Sequence, residues 1–199
     1  MEEGRGVADD RWLVVGLGNP EAEYGGTRHN VGADAVRTLV AREHAELSRN
    51  RRTRAEVAEL RLDAHRVVAT IPSSYMNRSG GPVQATASWF KVPLERVIVC
   101  HDDLDLPVGA LKVKRGGGTA GHKGLRDVER ALGSPDYLRV RIGIGRPPGR
   151  MPGRDYVLRR FPPAEREVID VTLEQAADAI ASLVTDGLEP TQNRFHASG

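Results

Sequence analysis

Two patterns of apolar residues recur along the chain, short continuous runs and helical spacing. Continuous apolar runs at 12–15 and 97–100 are typical of buried strands, and each is followed by polar or glycine-rich residues. The range 32–44 instead has apolar residues three and four positions apart, which predicts an amphipathic helix. Strand, loop and helix in this order indicate an α/β domain.

The rest of the chain continues both patterns. Two runs at 55–62 and 66–71 flank a short polar turn and predict a β-hairpin. Further strands are predicted at 111–114 and 137–144, and further helices at 83–90, 125–132 and 164–184. We therefore expect a single-domain three-layer α/β/α sandwich with a mixed, mostly parallel sheet over residues 12–197, preceded by a polar tail over residues 1–11.

Composition excludes several classes of protein. Hydrophobic residues make up 39% of the 199 residues, enough for an ordinary core, and the single cysteine, Cys100, excludes an internal disulfide. No apolar stretch approaches the roughly 18 residues of a membrane helix, and residues 1–10 do not resemble a signal peptide. We expect a cytoplasmic protein that does not associate with membranes. The net charge of +2 permits an anionic partner without identifying one.

Polar residues collect in the loops that follow the predicted strands. Open α/β sheets bind ligands outside the carboxyl ends of their strands, so these loops are the candidate site. The loops carry Asn19, Tyr24 and His29; Tyr75 and Asn77; Asp102; and the glycine-rich range 116–124.

Three familiar binding motifs are incomplete. The run Gly16-Leu17-Gly18 has Glu21 where a dinucleotide fingerprint needs its third glycine. The range 116–123 has His122 where a phosphate loop needs lysine. The run 103–105 lacks the glycine of a calcium loop, and no His/Cys spacing supports another metal. We therefore expect neither a cofactor nor a metal.

The remaining chemistry is metal-free acid–base catalysis. A loop histidine beside a carboxylate can act as a general base, because imidazole titrates near neutral pH. The chain has no nucleophile elbow and Cys100 lies within a predicted strand, so water is the expected nucleophile. From these residues alone, His29 paired with Asp102 is one choice among several, because the chain has six histidines.

Five blocks of the sequence, in order, resemble the bacterial peptidyl-tRNA hydrolase family. The resemblance spans about residues 12 to 197 and implies a peptidyl-tRNA hydrolase-like fold. It also implies hydrolysis of the ester that joins a peptide to tRNA, without a cofactor. The blocks are LVVGLGNP at 13–20 with TRHNVG at 27–32, YMNRSG at 75–80, HDDLDLP at 101–107 with GGG at 116–118, RIGIGRP at 141–147, and TDGL at 185–188 with NRFHA at 193–197.

The resemblance implies a catalytic role for three residues. His29 is similar to the general base that activates water, and Asp102 to the carboxylate that keeps this histidine basic. Asn19 is similar to the residue that distinguishes a peptidyl or N-blocked substrate from free aminoacyl-tRNA.

Five more residues are implied to contact the acceptor end and CCA terminus of peptidyl-tRNA. Tyr24, Tyr75 and Asn77 resemble contacts to the end of the substrate, and an amide such as Asn77 can stabilise an oxyanion. Lys114 and Arg141 are similar to a basic pair that holds the terminal phosphate of the tRNA. The resemblance implies no obligate protein partner and suggests a monomer.

One position departs from the family pattern. Lys123 stands where the family has asparagine, and an ammonium group carries charge and only donates hydrogen bonds. It can stabilise an oxyanion or an RNA phosphate, or it can depress the pKa of a nearby His29. We predict an active enzyme with altered efficiency. The alternative is a catalytically impaired RNA-binding paralogue on the same fold.

Other conspicuous residues have ordinary structural interpretations. The arginines of the run 49–54 are interpreted as a basic, solvated turn in preference to a tRNA contact. His122 is interpreted as a hydrogen-bonded loop histidine in preference to a catalytic residue. Four aromatic residues are interpreted as half-buried packing residues: Trp12, Trp89, Tyr137 and Tyr156.

Overall fold

A single seven-stranded sheet organises residues 10–196, the part of the chain that this computed structural model describes. The predicted tail therefore lies largely outside the described residues, as does position 197. The strands are β1 (Trp12–Gly16), β2 (Ser48–Asn50), β3 (Ala55–Leu62), β4 (His65–Pro72), β5 (Val97–Asp103), β6 (Leu111–Arg115) and β7 (Leu138–Gly143). Their order across the sheet is β2-β3-β4-β1-β5-β7-β6.

Seven helices lie around this sheet in the described residues, together with three short 3₁₀ turns. The helices are α1 (Glu21–Tyr24), α2 (Val31–Arg42), α3 (Gly80–Trp89), α4 (Lys123–Leu132), α5 (Gly153–Tyr156), α6 (Pro163–Thr185) and α7 (Leu188–His196). The 3₁₀ turns are Arg28–Asn30, Met76–Arg78 and Leu94–Arg96. In the described range, no helix is both long and apolar enough to cross a membrane.

The directions of the strands confirm the prediction of a mixed, mostly parallel sheet. β1 pairs in parallel with β4 and with β5, and β5 pairs in parallel with β7. β3 is antiparallel to both β2 and β4, and β6 is antiparallel to β7. Only β3 and β6 therefore run against the other strands.

Alternating side chains divide the core into two clusters, one on each face of the sheet. Val14 packs on the face covered by α2 and α6, whereas Leu13 and Val15 pack on the face covered by α3 and α4. This alternation follows from the two-residue period of a strand. It confirms the three predicted layers.

The predicted elements differ from the structure mainly at their ends. His101, Asp102 and Asp103 do not close the fifth strand but continue it, because their backbones pair with Arg141, Ile142 and Gly143 of β7. The short elements β2, α1 and α5 were not predicted, because three or four residues give too little periodicity.

The carboxyl-terminal helix α7 was also not predicted, and it covers an edge of the sheet. Gln192 donates to the carbonyl of Val113 at 3.2 Å, and the N–H of Val113 donates to Nε2 of His196 at 3.0 Å. These two side chains satisfy backbone groups that an edge strand otherwise exposes. The polar pattern of α7 reflects this contact with the backbone of β6.

The four aromatic residues interpreted as half-buried differ from one another. Trp12 is partly buried as expected, but Tyr137 and Tyr156 are fully buried. The side chain of Trp89 is 51% exposed, so the prediction of packing was wrong for this residue. Trp89 is the last residue of α3.

Gly32 lets the first turn of α2 approach β5 closely. A Cβ at Gly32 would lie 2.2 Å from the carbonyl oxygen of Cys100 and 2.9 Å from the Cα of His101. Both atoms belong to the backbone, which cannot move aside cheaply. Glycine at this position therefore sets the distance between α2 and the strand that carries Asp102.

We expect Gly32→Ala to lower the free energy of unfolding by about 1–3 kcal/mol, the usual cost of forcing an extra carbon into a packed interior. Urea denaturation of both proteins measures this difference. Gly118→Ala is the matched control, because a Cβ at Gly118 would meet no atom within 4 Å. Equal stabilities of wild type and Gly32→Ala would contradict the role given to this contact.

Candidate active site

A cavity of about 670 Å³ opens where the carboxyl ends of β1, β4 and β5 meet. The loops after these strands supply most of its walls, as expected for an open α/β sheet. All nine residues singled out from the sequence line this cavity: Asn19, Tyr24, His29, Tyr75, Asn77, Asp102, Lys114, Lys123 and Arg141.

Asp102 accepts hydrogen bonds from two histidines at the floor of the cavity. Its Oδ2 lies 2.8 Å from Nδ1 of His29, and its Oδ1 lies 2.7 Å from Nε2 of His122. The Asp102 side chain is 2% exposed, so water does not compete for these bonds. The predicted juxtaposition of His29 and Asp102 is thus present in the fold.

The partners of the two imidazoles assign their protons. The N–H of Leu125 donates to Nδ1 of His122, so the proton of a neutral His122 is on Nε2, where it faces Asp102. Asp102 likewise requires a proton on Nδ1 of His29. Nε2 of His29 is then unprotonated, and it has no hydrogen-bond partner in the described chain and is not a buried atom. A lone pair is available in the cavity.

Burial and charge act in opposite directions on this group. Burial alone raises the pKa of Asp102, but the two histidines lower it far more, so the carboxylate is ionised at neutral pH. Burial lowers the pKa of His29, yet the charge and hydrogen bond of Asp102 outweigh this effect and raise the pKa above its ordinary value. His29 is therefore more basic than an ordinary histidine.

His122 is the site residue that sequence reasoning missed. It was predicted to be a hydrogen-bonded loop histidine, and it does cap the amino end of α4 through the N–H of Leu125. Its second hydrogen bond joins it to Asp102, twenty positions earlier in the chain, and no local sequence pattern predicts this bond. Histidine is not among the preferred capping residues, so its position before a predicted helix indicates neither the cap nor the partner of its other nitrogen.

His101 is buried beside this group. Its Nδ1 donates to the backbone carbonyl of Asp102 at 2.8 Å, and its ring packs edge-on against His122. Burial, followed by the proximity of His122, lowers the pKa of His101, which is therefore neutral. It helps to enclose the carboxylate without adding charge.

Asn19 is held in one orientation by its neighbours. Its N–H donates to Oδ1 of Asn30 at 2.8 Å, and Nδ2 of Asn30 donates back to its carbonyl at 3.0 Å. Its own Oδ1 accepts the N–H of Met76 at 2.8 Å. With its oxygen occupied, Asn19 presents its NH₂ group as a donor.

The far wall of the cavity is basic. Lys114 on β6 and Arg141 on β7 line it, and Arg141 donates to Asp103 at 2.8 Å. Burial, then the charges of Arg141 and Arg139, lowers the pKa of Lys114. Such mutual repulsion of cations is relieved when an anion binds.

Arg139 is the buried cation that shapes this wall. Its side chain is fully buried and donates to the carbonyls of Gly117, Gly118 and Pro135 at 2.7–3.2 Å. These bonds hold the glycine-rich loop against β7. The strand pattern gave no reason to expect a buried arginine there.

Tyr24 and Tyr75 face each other at the mouth of the cavity. Their rings are perpendicular, with centroids 6.3 Å apart, and Tyr75 donates to Glu23 at 3.0 Å. The ring of Tyr75 is 48% exposed, so it offers a surface for a flat ligand.

Comparisons with known proteins agree with this site. The family model described as peptidyl-tRNA hydrolase matches residues 13–199. The peptidyl-tRNA hydrolase of Frankia alni is 55% identical over 189 residues, covering 95% of both chains. That of Nocardia farcinica is 52% identical over 184 residues, covering 92% of this chain and 95% of the relative.

The chain belongs to the peptidyl-tRNA hydrolase family. The fold agrees, because the solved structure of peptidyl-tRNA hydrolase from Acinetobacter baumannii superposes with a TM-score of 0.89 at 32% identity, covering 96% of this chain and 97% of that one.

Lys123, the residue predicted to depart from the family pattern, lies close enough to His29 to influence its charge. It is the first residue of α4 and follows His122 directly. Its positive charge lowers the pKa of His29, although less than Asp102 raises it. The expectation that Lys123 depresses this pKa is confirmed.

A metal ion is a poor fit for this group of hydrogen-bonded residues. The ligand atoms of His29, Asp102 and His122 lie within 4.8 Å of one another. However, Nε2 of His122 carries a proton, because its Nδ1 accepts the N–H of Leu125. A protonated nitrogen cannot ligate a metal, so binding would require giving up this helix cap.

We expect Lys123→Asn to raise the pKa of His29, because the substitution removes a nearby positive charge. NMR titration of the His29 imidazole signals measures the shift without any substrate. Lys114→Asn removes the same charge on the far wall and should leave the pKa of His29 unchanged. Equal titration of wild type and Lys123→Asn would contradict the electrostatic coupling.

Proposed function

We propose that this chain hydrolyses the ester between a peptide and the terminal ribose of tRNA, using water activated by His29. The observation that carries the proposal is the 2.8 Å contact between Nδ1 of His29 and Asp102, which leaves Nε2 as a base in the cavity. Membership of the peptidyl-tRNA hydrolase family supports the substrate.

His29 and Asp102 act together on the attacking water. Nε2 of His29 takes a proton from water as the oxygen attacks the ester carbonyl, and the resulting imidazolium is stabilised by the Asp102 carboxylate. His122 holds the other carboxylate oxygen and prevents Asp102 from turning away. When the tetrahedral intermediate collapses, the imidazolium returns the proton to the departing ribose oxygen.

We propose that Asn77 and Lys123, which both line the cavity, stabilise the negative charge that develops on the carbonyl oxygen. Asn77 is exposed in the cavity wall and can donate from its amide, which is typically worth about 3 kcal/mol to such a transition state. Lys123 adds a positive charge near the same reaction centre and replaces the amide of the family pattern. We propose that it stabilises the oxyanion while lowering the basicity of His29.

Asn19 selects substrates whose amino group carries a peptide. Its NH₂ group points away from Met76 and can donate to a peptide carbonyl. A free aminoacyl-tRNA has an ammonium group at the same place, and two donors cannot bond to each other. The fixed orientation of Asn19 therefore disfavours free aminoacyl-tRNA.

The remaining wall residues bind the acceptor end of the tRNA. Tyr24 and Tyr75 offer stacking surfaces for the unpaired CCA terminus, and Lys114 and Arg141 hold a phosphate. The relief of repulsion at Lys114 favours an anion there. We propose that the enzyme acts as a monomer in the cytoplasm and needs no protein partner.

The impaired RNA-binding alternative has no observation in its favour. The base, its carboxylate and both asparagines line one cavity, and each of His29, Asp102 and Asn19 has the hydrogen-bond partners that its role requires.

We expect His29→Ala to lower kcat by about 10²- to 10⁴-fold with little change in KM, because only the transferred proton loses its acceptor. Release of peptide from N-acetyl-aminoacyl-tRNA measures both constants. His65→Ala, in the hairpin turn at the opposite end of the sheet, is the control and should retain full activity. Activity that survives in His29→Ala, or is lost on adding a chelator, would overturn the mechanism.

We also expect the activity of the wild type to fall with acid. The pKa of His29 is raised, so the unprotonated base is lost as the pH falls through a value above the ordinary one for histidine. In Lys123→Asn the fall of kcat/KM with acid should begin at a still higher pH. If kcat/KM falls at the same pH in wild type and Lys123→Asn, His29 does not control the rate.

A further inference from the structure

Five arginines form a basic surface beside the cavity that the proposed function does not use. We define the arginine surface as Arg49, Arg51, Arg52, Arg54 and Arg78, and we propose that it binds backbone phosphates of the tRNA beyond its CCA terminus. The proposal rests on the proposed function, because the cavity places the end of the tRNA next to this surface.

The topology of the sheet brings the arginine surface to the cavity side of the molecule. The turn at 51–54 joins β2 to β3, and the first residue of β3, Ala55, pairs with Pro72 at the carboxyl end of β4. The turn therefore lies at the same end of the sheet as the cavity. The N–H of Ser73, just before the cavity residue Tyr75, donates to the carbonyl of Arg54 at 3.1 Å.

Helix α3 carries this surface outward from the cavity. Arg78 follows the cavity residue Asn77, and the Arg54 guanidinium lies 2.9 Å from the position of a Cβ on Gly81, at the start of α3. The Arg52 guanidinium lies over the ring of Trp89, 5.0 Å from its centroid, at the end of the same helix. Eight residues of helix separate Gly81 from Trp89, so the surface extends about 12 Å.

The arginines of this surface are available for a ligand. Arg52 stacks on Trp89, and the side chains of the other four have no partner in residues 10–196. No carboxylate in that range lies within ion-pair distance of any of the five. By contrast, Arg28, Arg37 and Arg42 elsewhere are paired with acids.

The arginine surface carries five positive charges, although the net charge of the whole chain is only +2. A groove of about 520 Å³ between the turn and the end of α3 is lined by Arg49, Arg51 and Arg52, and also by Glu46 and Glu59. None of the five guanidinium groups is neutralised by an ion pair within residues 10–196, so this surface attracts a polyanion.

The chemistry favours RNA over an acidic peptide. Guanidinium groups bind phosphate oxygens with paired N–H donors, and an exposed indole beside them is typical of surfaces that contact RNA. The stacking on Trp89 also holds Arg52 at the rim, which reduces the entropy lost when it binds. A tRNA whose end occupies the cavity carries its phosphates past this edge.

The test compares a double variant, which carries both Arg51→Gln and Arg52→Gln, with a matched control on two substrates. The control carries both Arg61→Gln and Arg194→Gln, so its net charge changes by the same amount. These two residues line a pocket beside the β3–β4 hairpin turn, at the far end of the sheet. The substrates are N-acetyl-aminoacyl-tRNA and the same ester on a short CCA-ended oligonucleotide that cannot reach the arginine surface. Thermal melting of each variant checks that the fold is retained.

We expect the double variant to raise KM for the full tRNA about tenfold, with kcat unchanged and the short substrate unaffected. The slope of log KM against log salt should fall by roughly two, one for each lost phosphate contact. The control variant should behave as wild type on both substrates.

Three results would overturn the proposal: an unchanged KM and salt slope in the double variant, an equal effect in the control, or an equal loss on both substrates. Binding of deacylated tRNA to wild type and double variant gives an independent readout. If wild type hydrolyses neither substrate, the proposed function fails, yet a binding defect confined to the double variant still supports the arginine surface.

Discussion

The site depends on one buried carboxylate that accepts hydrogen bonds from two imidazoles. Asp102 is removed from water, and an ionised carboxylate in that environment is stable only if donors replace the lost solvent. His29 and His122 supply those donors at 2.8 and 2.7 Å. The same two bonds fix the proton of each ring, so the requirement of the buried charge also creates the free lone pair on His29.

The surrounding fold serves this arrangement through backbone contacts. Gly32 lets α2 approach β5 closely enough to bring the residues before it to Asp102. The N–H of His29 donates to the carbonyl of Val157 at 2.8 Å, and Asn30 clamps the backbone of Asn19. His29 and Asn19 are thus positioned by one short segment, which keeps their spacing constant.

Positive charge is distributed in two tiers around the cavity. Lys114, Lys123 and Arg141 line the cavity itself, where a single phosphate or oxyanion can meet them. The arginine surface lies outside, along α3, where only a longer polyanion can reach. We propose that the inner group acts on the reaction and the outer group on binding, because electrostatic attraction over that distance is weakened by salt.

The sequence by itself determined the order of the main strands and helices, since apolar periodicity is a local property, and its motifs determined the family and the cavity residues. It did not reveal α7, whose polar residues cap β6, nor the partner of His122, nor the exposure of Trp89. Those features depend on which elements become neighbours in space. A side chain such as His122 acquires its role from a residue on another element. That contact forms only when the sheet assembles, so the spacing of residues along the chain does not predict it.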